Sequence, residues 1–302
     1  MSYAEFYLNK APLTFAGSPP ARDADFIVIG VPFDSTSTYR GGQRFAPAAI
    51  REASVNIEAN GFSIAGNIDR VKLSDWGDIY APQGSVESML DRVEKVVGEI
   101  SSDGRVVVAL GGEHTITLGV MRGLKAAGLK PCLIVFDAHF DLKSDYMGVR
   151  FSHATVMRRI VEEAKTRVFY VAVRAFDEEE LRYASESENI DYVAAWSVDV
   201  MGVRNIEVRA KAFLSACRSL YLSIDIDFLD PAFAPGAANP EPGGLTSVQA
   251  LTLLARLASD PRIVGVDLVE VSPPHDCSGI TPIVAAKLLQ QAIIALDSAK
   301  KR

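Results

Sequence analysis

The chain has 302 residues, of which 48% are hydrophobic and 23% are charged. This length and apolar content suit one large α/β domain or two ordinary ones, with an ample core. The formal net charge of −7 argues against nucleic acid or an anionic membrane surface as the main partner, since both attract basic proteins.

The three cysteines, Cys132, Cys217 and Cys277, form no CxxC pair. Their isolation favours neither a disulfide framework nor a zinc ribbon, and it predicts a reducing, cytoplasmic location. The first twenty residues have no apolar core followed by a cleavage site, so no signal peptide is predicted. No apolar run approaches the length that crosses a bilayer.

Short apolar runs rich in Val and Ile recur along the chain and predict buried strands of a parallel sheet. They are FIVIGV (26–31), RVVVAL (105–110), CLIVF (132–136), VFYVAV (168–173), LYLSIDI (220–226) and IVGVDLV (263–269). Helical patterns alternate with them. The sequence therefore predicts a single three-layer α/β/α domain over 1–302 with a mostly parallel central sheet, and an N-terminal extension, 1–24, that packs on it.

Two of the helices have clear boundaries in the sequence. The stretch SVESMLDRVEKVVGEI (85–100) keeps its apolar residues on one helical face, with Ser85 placed to cap it. Near the C-terminus, Thr281 and Pro282 predict an N-cap and a first-turn proline for a helix that ends at Leu296. Residues 32–62 are expected to form a long loop with a short helix.

Polar side chains follow four of the predicted strands at the point where each strand ends. Ligands of an open α/β sheet bind beyond the carboxyl ends of its strands. The residues delivered there are His114, Asp137, His139, Asp141, Asp225, Asp227 and Glu270. Acids this close require a shared proton or a cation. Two histidines and four aspartates without cysteine favour a pair of divalent ions, Mn²⁺ first, with Fe²⁺, Co²⁺, Ni²⁺ or Zn²⁺ possible.

Each of these residues alone has a simpler explanation. An aspartate after a strand, such as Asp137 or Asp225, commonly caps a helix or forms a turn, and a lone histidine such as His114 is commonly structural. The stretch DIDFLD resembles the beginning of a calcium loop, but Asp230 and Gly236 occupy the positions where an EF-hand needs Gly and Glu. The simpler explanations do not account for acids at several strand ends together.

The motifs GGEHTIT, DAHFD, SIDIDFLDPAFAPG, EPGGLT and VEVSPP, in this order and spacing, resemble those of the ureohydrolases, the family of arginase and agmatinase. The N-terminal stretch GVPFDSTSTYRGGQRFAPAAIREAS extends the resemblance to nearly the whole chain and looks most like the agmatinase branch. The resemblance implies an arginase-like fold. It also implies hydrolysis of agmatine to putrescine and urea, a step of polyamine biosynthesis, by a hydroxide that bridges two Mn²⁺ ions. A homo-oligomer, trimer or hexamer, is a further implication.

The same resemblance assigns roles to the residues. One manganese would be held by His114, Asp137, Asp141 and Asp225, and the second by His139, Asp137, Asp225 and Asp227, with Asp137 and Asp225 bridging. Asp141 could also orient the hydroxide. Glu270 would bind the guanidinium group through two parallel charge-assisted hydrogen bonds.

His153 matches the family histidine that passes a proton to the leaving amine. The competing explanation is that His153 caps the helix predicted at 154–162, although Ser152 could cap it equally well. The fourth histidine, His275, is expected at the rim of the pocket.

The substrate is less well indicated. The loop LKSDYMGVR lacks the Asn and Ser/Thr pattern of arginases and points away from arginine. Asp145 or Tyr146 could meet the distal ammonium of agmatine. Lys143 or Arg150 could instead pair with the carboxylate of 4-guanidinobutyrate, although solvated loop charges are the favoured explanation for both.

Three other hypotheses remain open at this point. The chain could hydrolyse another guanidino compound, namely 4-guanidinobutyrate, N1-aminopropylagmatine or arginine. It could be a non-catalytic relative that binds metal. It could also be a related deacetylase with a single zinc, but the pair His114 and Asp227 favours two ions. AAN (237–239), where many relatives carry Thr-Gly, could alter the pocket floor.

Overall fold

The computed structural model describes residues 2–21 and 23–302. In this part of the chain nine strands form one sheet. They are β1 (Leu8–Asn9), β2 (Phe26–Gly30), β3 (Leu73–Ile79), β4 (Val106–Leu110), β5 (Cys132–Phe136), β6 (Val168–Val173), β7 (Ile190–Ala194), β8 (Leu220–Asp225) and β9 (Ile263–Val269). Only the two-residue β1 runs antiparallel to its neighbour, so the sheet is mostly parallel, as expected.

Helices cover both faces of this sheet, and one buried apolar cluster lies on each face. The helices are α1 (Tyr3–Tyr7), α2 (Ala46–Ser54), α3 (Val86–Ser102), α4 (Ile116–Ala126), α5 (Val156–Ala164), α6 (Glu178–Glu186), α7 (Val198–Met201), α8 (Val203–Phe213), α9 (Ser247–Leu257) and α10 (Ile280–Lys300). The architecture is the single three-layer α/β/α domain that the alternation of strand and helix predicts.

The order of the strands across the sheet explains where the site forms. It is β1-β3-β2-β4-β9-β8-β5-β6-β7, so the four strands with polar ends, β4, β9, β8 and β5, are consecutive. Because these four are parallel, their carboxyl ends meet at one edge of the sheet. The clustering predicted from the strand ends follows directly from this order.

All six predicted strands are present, and three others were missed. β3 has the sequence LSDWGDI, in which Asp75 forms an ion pair with the buried Arg51 (Nε to Oδ2, 2.8 Å) and interrupts the apolar pattern. β7 lies at an edge of the sheet and has polar positions, which removes the signal of a strand buried on both faces.

The two helices with predicted boundaries differ in outcome. α3 begins after Ser85, whose Oγ accepts a hydrogen bond from the Ser88 amide (3.3 Å), as expected. α10 begins two residues earlier than predicted, at Ile280 after Gly279, and extends to Lys300 rather than Leu296. Thr281 is the second residue of the helix rather than its N-cap, which is Gly279. Its Oγ1 accepts a hydrogen bond from the Gly236 amide (2.8 Å).

α10 also corrects the expectation that no segment is long and apolar enough to span a bilayer. By length and composition α10 qualifies, the one helix of the described residues that does. Of its most apolar 18-residue window, 72% is buried inside the protein, where the helix packs against α2 and α9. This burial is typical of the core helix of a folded domain.

The cysteines give a second correction. Cys132, at the beginning of β5, and Cys217, after α8, form a disulfide, with Cα atoms 6.0 Å apart. Cys277 is a free and exposed thiol. The sequence did not reveal the pair because the two residues are 85 positions apart. The disulfide removes the cysteine-based argument for a reducing compartment, so the cytoplasmic location stays a prediction.

Replacing both Cys132 and Cys217 with Ser is expected to lower the free energy of unfolding by about 2–4 kcal/mol, because the unfolded chain regains the entropy of a long loop. Urea titrations followed by circular dichroism measure this. Cys277→Ser, which removes only an exposed thiol, is the matched control and should leave the unfolding midpoint unchanged. Three titratable thiols in the native protein would contradict the pairing.

Candidate metal centre and active site

The polar residues leave the sheet within a few positions of the strand ends. Asp225 is the last residue of β8, Asp137 directly follows β5, and Glu270 directly follows β9. The backbone turns sharply here, since Asp141 (φ 53°) and Glu270 (φ 66°) have positive φ angles. His139 and Asp141 therefore do not lie on one face of a regular strand, although they alternate with Asp137 in the sequence.

A first group of side chains surrounds His114, which is fully buried. Its Nδ1 lies 3.2 Å from Asp137 Oδ2, 3.0 Å from Asp141 Oδ2 and 3.4 Å from Asp225 Oδ2. Three carboxylate oxygens thus converge on one imidazole nitrogen.

A second group forms around His139. Its Nδ1 lies 3.0 Å from Asp227 Oδ2 and 3.6 Å from Asp137 Oδ1. Asp137 therefore directs one oxygen to each group and joins the two.

The ligand atoms of His114, Asp137 and Asp225, and those of Asp137, His139 and Asp227, are close enough together to hold one ion in each group. The sixth predicted ligand, Asp141, adjoins the first group through His114, and Asp225 belongs to the first group only.

Hydrogen bonding behind His114 indicates that a cation fits this site. Ser223 Oγ donates to Asp267 Oδ1 (2.6 Å), so the serine oxygen can only accept from His114 Nε2 (3.0 Å). In neutral His114 the lone pair of Nδ1 then faces the carboxylates. His114 Nδ1 and Asp137 Oδ2 are buried and have no hydrogen-bond partner. Two facing acceptors require a cation or a proton between them.

Sequence reasoning missed Asp267 as part of this support. It is fully buried within β9 and also accepts hydrogen bonds from Tyr221 (2.8 Å) and Thr117 (2.7 Å). The only signal was an aspartate inside the apolar run IVGVDLV, which is costly unless it is hydrogen-bonded. Such a partner fixes the orientation of a metal-binding imidazole.

The pKa values of the group reflect its burial and crowding. Burial raises the pKa of Asp141 to about 7, and the charge of Asp137 adds to this. Burial also raises the pKa of Asp137, but the close imidazoles of His114 and His139 outweigh it and lower this pKa to about 2. Burial disfavours the charged forms of His114 and His139 and so acts to lower their pKa values. The surrounding aspartates outweigh this and raise both pKa values well above the usual range.

Glu270 is buried beside the first group. Its Oε1 accepts a hydrogen bond from the His114 amide (2.5 Å), and its Oε2 accepts one from Gln43 Nε2 (2.9 Å). Burial raises its pKa to about 8. The carboxylate is held by two neutral donors and has no arginine or lysine partner among the described residues, which suits it to a cationic ligand.

His153 lies at the beginning of a 3₁₀ turn, residues 153–155, that leads into α5. Ser152 and Thr155 form the capping box of that turn, so the capping role belongs to Ser152. The backbone N–H of His153 donates to Thr36 Oγ1 (3.2 Å). Burial, together with the charges of His139 and His114, lowers the His153 pKa to about 4.

A cavity of about 230 Å³ opens over both groups. Its lining residues are Tyr39, His139, Asp141, Lys143, Tyr146, His153, Ala154, Glu180, Asp225, Asp227, Asn239, Pro240, Glu241 and Glu270. Tyr146 lines the cavity, as predicted. Asn239, the last residue of the AAN stretch (237–239), lines it too. Asp145 and His275 are exposed and do not line the cavity, so neither prediction of a pocket position is supported.

Lys143 and Arg150, the two cations of the loop LKSDYMGVR, have different surroundings. Lys143 forms ion pairs with Asp177 and with Glu180 (Nζ to Oε2, 3.2 Å), so it is not the solvated loop charge that was favoured. Arg150 is exposed and lies near the Phe151 ring (5.6 Å to the centroid), which agrees with a solvated charge. Glu241 lines the cavity, whereas Arg150 does not. Sequence reasoning did not single out Glu241.

Comparison with known proteins agrees with this geometry. The Arginase family profile matches residues 24–295. Agmatinase of Bacillus anthracis is 33% identical over 296 residues, which are 97% of this chain and 99% of that protein. Guanidinobutyrase of Pseudomonas aeruginosa is 35% identical over 295 residues, 94% of this chain and 91% of that protein.

Among solved structures, the agmatine ureohydrolase of Thermoplasma volcanium superposes with a TM-score of 0.85 at 34% identity, covering 96% of each chain. The family profile spans β2 to β9 and every residue that lines the cavity. The chain belongs to the arginase family and is a ureohydrolase enzyme.

Proposed function

We propose that this ureohydrolase cleaves agmatine into putrescine and urea with two Mn²⁺ ions per chain. The observation that carries the proposal is that two histidine–carboxylate groups sharing Asp137, together with the buried Glu270, adjoin one cavity. A ureohydrolase needs both a source of hydroxide and a site for the guanidinium group, and this arrangement supplies both.

The proposed ligands are those that the resemblance implied: His114, Asp137, Asp141 and Asp225 for one ion, and His139, Asp137, Asp225 and Asp227 for the other. The place of Asp225 in the second set rests on the resemblance, because its ligand atom groups with those of His114 and Asp137. Oxygen-rich ligand sets with some imidazole suit Mn²⁺. When bound, the two ions lower the pKa of water and make hydroxide available at neutral pH.

Glu270 is proposed to bind the guanidinium group of the substrate. A guanidinium carbon is a poor electrophile, so its exact position over the nucleophile matters more than in an ester or an amide. The two protein donors on Glu270 fix the plane of its carboxylate, and the remaining lone pairs can accept two parallel N–H bonds from the planar substrate.

Asp141 and His153 are proposed to handle protons. Asp141 lines the cavity and could accept a hydrogen bond from the attacking hydroxide, which would orient it. His153 lines the same cavity and is neutral at physiological pH because its pKa is lowered to about 4. A neutral imidazole can take the proton from the oxygen that becomes the urea carbonyl and deliver it to the leaving nitrogen. Putrescine then leaves as a neutral amine and takes a second proton from solvent to become the ammonium.

The outer part of the cavity favours a substrate with a cationic tail. Lys143, the one Lys or Arg that lines the cavity among the described residues, is paired with Asp177 and Glu180, while Glu241 lies there with Tyr39 and Tyr146. The nearby Arg174 donates to the backbone carbonyl of Glu241 (2.6 Å) rather than to its carboxylate. A carboxylate and aromatic rings attract an ammonium group and repel a carboxylate. This favours agmatine over 4-guanidinobutyrate, and it replaces Asp145 with Glu241 as the proposed partner of the distal ammonium.

Urea release tests the proposal. The purified protein, loaded with Mn²⁺, is assayed with agmatine, arginine, 4-guanidinobutyrate and N1-aminopropylagmatine. The highest kcat/KM is expected with agmatine. Urea from none of the four would refute the proposed activity and would favour the non-catalytic alternative, a metal-binding relative.

The second candidate substrate is 4-guanidinobutyrate, since the Pseudomonas guanidinobutyrase is as similar to this chain as the agmatinases are. Glu241→Gln distinguishes the two substrates. Removing this charge is expected to raise KM for agmatine about two- to fivefold, within the range of a partly exposed ion pair, and to leave or lower KM for 4-guanidinobutyrate. Asn239→Ala, a change of a neutral residue lining the same cavity, is the control. An equal effect of Glu241→Gln on both substrates would contradict the assignment.

Metal affinity should depend steeply on pH. Without metal the two histidines and Asp141, whose pKa is raised to about 7, hold protons that bound metal must displace. Affinity for Mn²⁺ should therefore fall as pH drops through about 7, by roughly tenfold per pH unit for each proton displaced. Calorimetric titrations in two buffers of different ionisation enthalpy measure affinity and proton release together. Binding without proton release below pH 7 would contradict this.

The cellular setting is also part of the proposal. We infer a cytoplasmic enzyme of polyamine biosynthesis that works as a homo-oligomer, a trimer or a hexamer, by analogy with the ureohydrolases. Light scattering coupled to gel filtration would give the mass of the assembly, and a 32.6 kDa particle would contradict the oligomer.

A further inference from the structure

Thr36 is on the loop after β2 and is bound by the buried Glu113 through two hydrogen bonds. Its backbone N–H donates to Glu113 Oε2 (2.7 Å), and its hydroxyl donates to Glu113 Oε1 (2.6 Å). Glu113 is fully buried and does not line the cavity. The paired bonds fix both the backbone and the side chain of Thr36 at one position.

The same hydroxyl oxygen contacts His153 twice. It accepts a hydrogen bond from the His153 backbone N–H (3.2 Å), and it lies 3.4 Å from the ring nitrogen Nδ1. Because the hydroxyl hydrogen is directed to Glu113, the oxygen has only lone pairs left for His153. A hydrogen bond across this contact is therefore one that Nδ1 donates, and in that tautomer the lone pair is on Nε2.

The tautomer has a direct chemical consequence. His153 lines the cavity, and Nε2 is the ring nitrogen that Thr36 does not occupy. Nε2 is then free to exchange a proton with a molecule in the cavity. Tyr146 packs its ring at a right angle against the imidazole, with centroids 5.7 Å apart, and limits rotation from another direction.

We propose that Thr36, held by Glu113, is a positioning residue that fixes the orientation and the tautomer of His153. The catalytic part of this inference rests on the proposed function, in which His153 moves a proton. The positioning part rests only on the contacts of Thr36, Glu113 and His153. Neither Thr36 nor Glu113 was singled out by the sequence, since a threonine in a polar loop and a glutamate beside a histidine have no pattern of their own.

Thr36→Val tests the proposal because valine has the shape of threonine but no hydroxyl. With agmatine, kcat is expected to fall about 10- to 100-fold, part of the contribution of a well-placed general acid, while KM changes less than about twofold. Thr36→Ser restores the hydroxyl and should recover most of kcat. Thr38→Val, the same change at an exposed position of the same loop, is the matched control.

A double-mutant cycle separates positioning from a general structural role. In a His153→Ala background, Thr36→Val should change kcat by less than about twofold, because its effect acts through the imidazole. Equal losses in both backgrounds would overturn the proposal. If the valine variant does not fold, Thr36→Ala makes the same deletion and takes its place in the cycle.

Crystal structures of the metal-loaded Thr36→Val and Thr36→Ser proteins test positioning without any assay. The His153 ring should lose its single orientation in the valine variant and keep it in the serine variant. An unchanged ring in the valine variant would overturn the proposal. Because this result does not depend on turnover, it stands even if no guanidino compound is hydrolysed, and the two proposals can fail separately.

Discussion

Asp137→Ala is expected to release both metal ions and to lower the rate of urea formation by at least about a thousandfold. This is more than the roughly 10- to 100-fold loss that is typical when a residue that hydrogen-bonds a metal ligand is removed. Asp137 directs one carboxylate oxygen toward His114 and the other toward His139, so its loss opens both groups at once. Metal content after dialysis and urea release from agmatine are the measurements.

Two further aspartate variants serve as comparisons for Asp137→Ala. Asp227→Ala removes a carboxylate that adjoins only His139, and it is expected to release one ion rather than two. Asp145→Ala makes the same chemical change in an exposed loop outside the cavity and should keep both ions. An Asp137→Ala protein that retains one tightly bound ion would contradict the bridging role of Asp137.

Glu270→Gln is expected to lower kcat/KM for agmatine by about 10- to 1,000-fold. The loss corresponds to one or two hydrogen bonds between charged partners, each worth roughly 1.5–3 kcal/mol. The amide keeps the size of the side chain but cannot accept two N–H bonds from a guanidinium group. Steady-state kinetics with agmatine measure the effect.

Metal content is the control for Glu270→Gln, because Glu270 is not among the proposed ligands. The variant should bind as much Mn²⁺ as the original protein. If activity returned on adding excess Mn²⁺, Glu270 would be acting on the metal site rather than on the substrate, and the proposed role would be wrong.

The sequence predicts the main part of the fold because buried parallel strands have a simple pattern. Six apolar runs identified six strands, and the carboxyl-end rule brought the ends of β4, β5, β8 and β9 together. β3 was not predicted because Asp75, which pairs with Arg51, interrupts its run of apolar residues. The disulfide was not predicted because no local sequence pattern links Cys132 and Cys217, which are 85 positions apart.

The candidate site was predictable in its centre and less so at its margins. The residues around the proposed ions follow strands directly, so the sheet fixes their positions. The loop of Lys143 and Asp145 is different, because tertiary contacts decide where its side chains point. Lys143 is drawn to Asp177 and Glu180, more than thirty residues away, while Asp145 faces solvent. Ser223 and Asp267 support His114 through contacts across neighbouring strands, which a single sequence does not reveal.

The most direct test of a two-manganese agmatine hydrolase is a titration of the metal-free protein with Mn²⁺ while urea release from agmatine is recorded. We expect activity to rise until two ions are bound per chain and then to stay constant. Saturation at one ion per chain, or no urea at any Mn²⁺ concentration, would contradict the account.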